Sequence, residues 1–145
     1  MKIDLRATPF DPLAELQRYQ AERLELKGQY GATAIFIGTM RGYQDQAAIS
    51  RMTLEHYPGM TERQLQRIVE SAGQQWPLLD ALVIHRIGEL KPDDPIVLVA
   101  VWSAHRAEAF AACRAIMEAL KSKAPFWKCE ETAEGPRWVD HNTPG

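Results

Sequence analysis

The sequence predicts an α+β fold, with helices covering a mixed or antiparallel sheet and a small additional sheet near the C-terminus. Three observations carry that expectation. Apolar runs of strand length at 32–37, 81–87 and 96–102 are bounded by glycine, proline and acidic turns. Between them, apolar residues recur at helical spacing, most clearly Leu65, Ile68, Val69, Ala72 and Trp76. At 145 residues the chain has single-domain size, so 1–145 reads as one domain able to bury its own core.

Asp11 followed by Pro12 opens the first helix, because a carboxylate accepts from orphan amides and proline's fixed φ suits the first turn. Leu13, Leu16 and Tyr19 continue it to about Glu25, before a polar turn through Gly28 and Gly31. Residues 32–37 read as a buried strand, 39–46 as a polar loop carrying Arg41, and 49–57 as a second strand. Pro58 and Gly59 turn the chain. Thr61 with Gln64 fits a capping box for the second helix, which Pro77 stops. Residues 81–87 are the third strand. The fourth, 96–102, is apolar at every position and is expected at the sheet centre. Ser103 is the expected cap of the last helix, with Phe110, Cys113, Met117 and Leu120 as its core stripe and Ala124-Pro125 as its end. Short strands at 126–131 and 137–140 around Glu134-Gly135-Pro136 form a C-terminal β appendage over about 126–140.

Composition narrows the function. A hydrophobic fraction of 46%, a charged fraction of 25% and a formal net charge of −2 describe an ordinary globular protein and disfavour a nucleic-acid coat. No apolar run approaches the ~18 residues of a membrane span. The N-terminal segment has no apolar signal core, so the expected location is the cytoplasm. Cys113 and Cys129 make neither a disulfide framework nor a zinc spacing. Charge is nevertheless uneven. From Ser103 to Lys128 five bases oppose two acids, whereas from Cys129 onward four acids oppose Arg137 alone. That pattern suits a small anionic ligand better than a polyanion.

The densest polar chemistry lies at the two ends of the last helix. His105 and Arg106 fall in its first turn, where exposed amides hold anions and an arginine adds a bidentate fork. Spacing alone favours a snorkelling surface arginine and an ordinary cap-region histidine over ligand contacts. At the other end Lys121 borders the apolar stripe, whereas Lys123 points elsewhere. Lys128 follows Phe126-Trp127, where apolar surroundings lower an ammonium pKa and make a usable acid or base. His56 and His85 lie on expected strands without metal-ligand spacing and read as structural, and no metal is expected. No histidine at informative spacing activates Cys129. The residues alone reach no further than an α+β domain with a cationic patch near aromatics that binds a small anionic ligand and can act on it.

Four ordered segments sharpen this: Thr53-Leu54-Glu55-His56-Tyr57-Pro58-Gly59-Met60, Val83-Ile84-His85-Arg86-Ile87-Gly88-Glu89-Leu90, Ser103-Ala104-His105-Arg106, and Lys121-Ser122-Lys123-Ala124-Pro125-Phe126-Trp127-Lys128. Together they strongly resemble the large, catalytic subunit family of molybdopterin synthase, over about residues 31–139. The resemblance implies an α/β-hammerhead-like fold with an added small sheet, and no cofactor. It implies an activity: insertion of two sulfurs into cyclic pyranopterin monophosphate, forming the dithiolene of molybdopterin. The sulfur donor is the C-terminal Gly-Gly thiocarboxylate of a small ubiquitin-like partner. Two large subunits pair at the centre of a heterotetramer and share part of the pocket.

Carried over by residue, the resemblance implies a substrate pocket of Thr39, Met40, Arg41, His105, Arg106, Lys121, Lys128, Cys129 and Glu130, with Lys121 and Lys128 catalytic. Cys129 departs from the basic residue common in the family, which the resemblance leaves without a fixed pocket role, and with few residues after Arg137-Trp138 any tail contact of longer relatives is expected to be missing. A non-catalytic pterin- or partner-binding homologue is the alternative, and retention of both lysines counts against it. A single-stranded nucleic-acid binder stacking bases on Phe126 and Trp127 is disfavoured by the acidity.

Overall fold

The computed structural model describes residues 1–44 and 46–139. Asp45 in the expected loop and Asp140 at the expected last strand end lie outside them. The chain runs β1 (Lys2–Arg6), α1 (Pro12–Glu22), a single 3-10 turn (Leu24–Leu26), β2 (Ala32–Thr39), β3 (Tyr43–Gln44), β4 (Ala47–His56), α2 (Met60–Gln75), β5 (Leu78–Arg86), β6 (Gly88–Leu90), β7 (Pro95–Ser103), α3 (Arg106–Lys123), β8 (Phe126–Thr132) and β9 (Gly135–Val139).

Two sheets result. The first has the order β1-β5-β7-β2, with β1 parallel to β5 and the other pairings antiparallel. As expected, β7 is central and its residues from Val97 to Ser103 are all buried. Helices α2 and α3 cover one face, packing Leu65, Ile68, Val69 and Ile116 on Val83, Val99 and Val101. Phe10, Tyr19 and Leu26, before, in and after α1, cover the other face at Leu82, Ile84, Leu98 and Trp102. The second sheet has the order β3-β4-β8-β9, with β6 on the other edge of β4.

The architecture is the expected α+β with two corrections to strand membership. The strand expected at 49–57 beneath the helices runs over Ala47–His56 and belongs to the second sheet, where Thr53 pairs with Cys129 and Leu54 with Lys128. Its place in the main sheet is taken by β1, whose Ile3 and Leu5 pack on the core. The strands expected as a C-terminal addition are therefore woven into the sheet that closes the site. Met40, Ile49, Met52, Leu54 and Leu90 form the core beneath it.

Helix ends show what the backbone needed. Asp11 caps α1 as expected, accepting from the amides of Leu13 and Ala14 at 3.1 and 3.3 Å. The cap of α2 is different. Gly59 takes the N-cap position at φ +83°, a conformation that glycine tolerates, and its amide donates to Glu62 at 2.9 Å. Thr61 instead joins two segments, accepting from the Tyr57 amide and donating to the Pro125 carbonyl. Ser103 is still in β7 and donates to the Pro77 carbonyl, so α3 starts at an N-cap His105 with no side-chain cap bond. The stripe of α3 is also rotated from the expected one. Phe110 is 68% exposed, and Ala109, Ala112, Cys113, Ile116 and Leu120 face the sheet. Small alanines let the helix approach β2 and β7 closely, which a buried phenylalanine would prevent.

Candidate active site

A cavity of about 420 Å³ opens where the last turn of α3, the inner face of β8 and the end of β2 converge. Its floor is one row across the first sheet, in which His85 pairs with Val97 and Val97 with Gly38. A side chain at position 38 would put its Cβ 2.8 Å from Val97 Cγ1, so glycine keeps this floor open. Leu54, Phe126 and Leu120 make apolar walls, and beside His85 and Glu118 four more polar residues, Thr39, Arg41, Lys121 and Lys128, line it. A second hollow of about 300 Å³ shares those four polar residues and adds Met40 and Glu130. The lysines thus line both hollows.

Strand alternation on β8 turns Phe126, Lys128 and Glu130 inward and Trp127, Cys129 and Glu131 outward. Burial beside Phe126, and then the like charge and contact of Lys121, push the Lys128 ammonium down to about 8. A group so placed is largely protonated at neutral pH yet gives up its proton cheaply, which suits acid–base work. Glu130 is buried, and its Oε1 accepts from Arg137 Nε at 3.3 Å. Arg137 also donates to the Gln44 carbonyl at 3.2 Å, tying β9 to β3. Arg41 is exposed at the rim and donates to Gln44 Oε1 at 3.1 Å. Met40 is buried in the core of the second sheet, and its backbone is pinned to Asp93 and Asp94 by two 2.9 Å hydrogen bonds.

The structure therefore brings together Thr39, Met40, Arg41, Lys121, Lys128 and Glu130 around the two hollows. It does not bring in the other three. Cys129 lies on the outer face of β8, opposite Trp138, because adjacent residues of a strand point to opposite faces. His105 and Arg106 are exposed at the far end of α3 and line neither hollow. Eighteen helical residues span about 27 Å, so within one chain these two cannot touch a ligand held by the lysines.

Sequence reasoning left out one polar wall of the site, His85. Its ring stacks on Phe126 at 4.1 Å between centroids, and its Nδ1 lies 2.7 Å from the Arg86 carbonyl. Burial, and secondarily the two lysine charges, hold it down to about 4, so it is neutral. The signal that could have found it is period 2: His85 follows Ala81 and Val83 on the face that the helices cover.

Fold and site define a class: a two-sheet α+β protein whose cationic, partly dry cleft places two amines against an open glycine-floored hollow. Residues 6–123 match the MoaE protein family, and the chain belongs to that family. It is 57% identical over 138 residues to the molybdopterin synthase catalytic subunit of Ralstonia nicotianae, covering 95% of this chain and 76% of that one. Its structure is similar to the molybdopterin biosynthesis MoaE protein from Burkholderia ambifaria, with TM-score 0.80 and 42% identity over 99% of this chain and 92% of that one. The crystal structure of molybdopterin synthase from Staphylococcus aureus matches with TM-score 0.85 and 29% identity, covering 97% and 99% of the two chains.

Proposed function

We propose that this chain is the catalytic subunit of a molybdopterin synthase, acting in the cytoplasm as one functional domain over 1–145. It transfers two sulfurs from the thiocarboxylated C-terminus of a small ubiquitin-like subunit to cyclic pyranopterin monophosphate, forming the dithiolene of molybdopterin. The observation that carries this reading is the meeting of Lys121 and Lys128, from a helix and a strand, in one cavity with Arg41. Arg41 holds anionic oxygens of the substrate through charge-assisted hydrogen bonds. The lysines stabilise charge as the thiocarboxylate attacks and the cyclic phosphate opens, and the easily released Lys128 proton serves the loss of water. A water then hydrolyses the acyl link and frees the spent carboxylate of the partner.

His105 and Arg106 enter this scheme from a second copy of the chain. Their separation from the lysines within one chain supports that arrangement, as does the edge strand β2. Ile35, Phe36 and Ile37 are exposed on it at 44%, 40% and 36%, an apolar edge of the kind that folded proteins cover. Among the described residues no helix is long and apolar enough to cross a membrane. The decisive experiment mixes the protein with thiocarboxylated small subunit and the pyranopterin and assays dithiolene. Product is expected in proportion to thiocarboxylate consumed; no product from a folded protein bound to its partner overturns the reading.

A further inference from the structure

His85 belongs to no role assigned above, yet it forms part of the cavity floor beneath the two lysines. Two contacts and the surrounding charges fix its chemistry. The Arg86 carbonyl can only accept, so the 2.7 Å contact requires a proton on Nδ1. The stack on Phe126 fixes the ring plane, and Phe126 is the inward neighbour of Lys128 on β8. The charged groups lining the same cavity are Lys121 and Glu118 from α3, Lys128 from β8, and Arg41 from the segment after β2. From β4 and β7 come only Leu54, Ile96 and Val97, which carry no charge. Arg86 points to the opposite face of β5. A buried ring facing three cations and one carboxylate stays neutral, and a neutral ring protonated on Nδ1 carries a bare lone pair on Nε2.

We propose that His85 is a positioning residue for Lys128: a neutral imidazole on the shared cavity floor, locked as its Nδ1–H tautomer, whose Nε2 lone pair accepts from the ammonium once Lys128 turns from Lys121 toward a bound substrate, fixing the direction in which its proton is offered. Its neutrality is part of the device. A carboxylate at this place would hold Lys128 protonated, whereas an imidazole orients the amine without binding its proton tightly. This rests on the proposed sulfur transfer only for its kinetic consequence, and the tautomer can be tested without turnover.

The first test is the ¹⁵N spectrum of histidine-labelled, full-length protein between about pH 5 and about pH 9, a range that brackets ordinary histidine titration. A protonated Nδ1 and a bare Nε2 throughout are expected. An Nε2–H tautomer, or an imidazolium at neutral pH, overturns the proposal. The second test compares two variants in the complete assay. His85→Phe keeps the stack and loses the acceptor, and is expected to lower kcat about 10- to 100-fold with little change in KM, as misorientation of a catalytic group does. The pH–rate limb belonging to Lys128 should shift with it. His85→Gln restores an acceptor and is expected to recover much of the loss. A folded His85→Phe with wild-type kcat and an unmoved pH profile overturns the role. Should wild-type protein show no sulfur transfer at all, the functional reading fails, while the nitrogen spectrum still decides the tautomer.

Discussion

The two ends of α3 carry similar side chains in opposite circumstances. At the C-terminal end Lys121 is half-buried, meets Lys128 across a cavity, and helps push that neighbour down to about 8. At the N-terminal end His105 and Arg106 are exposed, make no side-chain cap, and sit at the end of the helix that repels cations. The first end is built for chemistry within one chain. The second has a cost in the isolated chain and no visible return there. The Arg106 cation at the unfavourable end of a macrodipole is understandable if an anion or a neighbouring molecule meets it, which is why the second copy enters the proposed site.

The largest effect belongs to the built end. Lys128→Ala is expected to fold normally and lose about 10²- to 10⁴-fold in sulfur transfer, the usual range for removing an acid–base group. Lys121→Ala should fall in the same range, because it supplies part of the charge that loosens the Lys128 proton. Single-turnover assays with thiocarboxylated partner measure both. Wild-type turnover by either variant would mean that the two ends of the helix do not differ in the way their environments say.

A mixing experiment sharpens the comparison next. If Arg106 acts across a dimer, an Arg106→Ala chain and a Lys128→Ala chain each lack a different half of the site. Random pairing in a closed dimer then gives mixed dimers with one intact site, restoring about a quarter of wild-type activity. If Arg106 acts within its own chain, or not at all, mixing restores nothing beyond the average of the two variants. Activity after co-refolding separates these cases.

The sequence foretold the parts of this contrast that depend on local pattern. Residues 96–102 were legible as the central strand because burial on both faces leaves an unbroken apolar run. Lys128 was legible as a perturbed amine because two aromatics precede it, and Phe126 does wall the cavity. Long-range pairing was not legible. Nothing local in Lys2–Arg6 says that it lies parallel to β5, nor in Ala47–His56 that it leaves the first sheet for β8. The rotated stripe of α3 failed for another reason: its sheet-facing side is rich in alanine, so the larger Phe110 dominated the pattern while pointing to solvent. Cys129 and His85 are a matching pair of misses. Strand alternation alone decides that one faces away from the cavity and the other into it, and that phase was fixed only once the registers were known.

Stability gives a smaller, independent reading of the same contrast. Lys128 has its pKa lowered from an ordinary 10.5 to about 8, so the folded state binds fewer protons than the unfolded chain between those values. The penalty is complete below about pH 8 and vanishes above about pH 10.5. Lys128→Met is therefore expected to raise stability at neutral pH by up to a few kcal/mol, with the gain fading toward about pH 10. Urea midpoints at the two pH values check it, and a gain that persists unchanged in alkali would point to packing rather than to the buried charge.

The smallest expected effect is at the bare end. Arg106→Glu replaces a cation with an anion in the first turn of α3, where the exposed amides favour negative charge. It is expected to stabilise the ligand-free protein by roughly 0.3–1 kcal/mol at low ionic strength, a gain that salt screens. The same change should abolish its contribution to holding an anionic substrate. A variant that is slightly more stable yet markedly weaker in substrate binding would identify Arg106 as a residue kept for its ligand against the interest of its own helix. Calorimetric titration beside thermal melts measures both quantities on one sample. Unchanged affinity would return Arg106 to the surface of the protein and leave the lysine end of α3 to account for the site by itself.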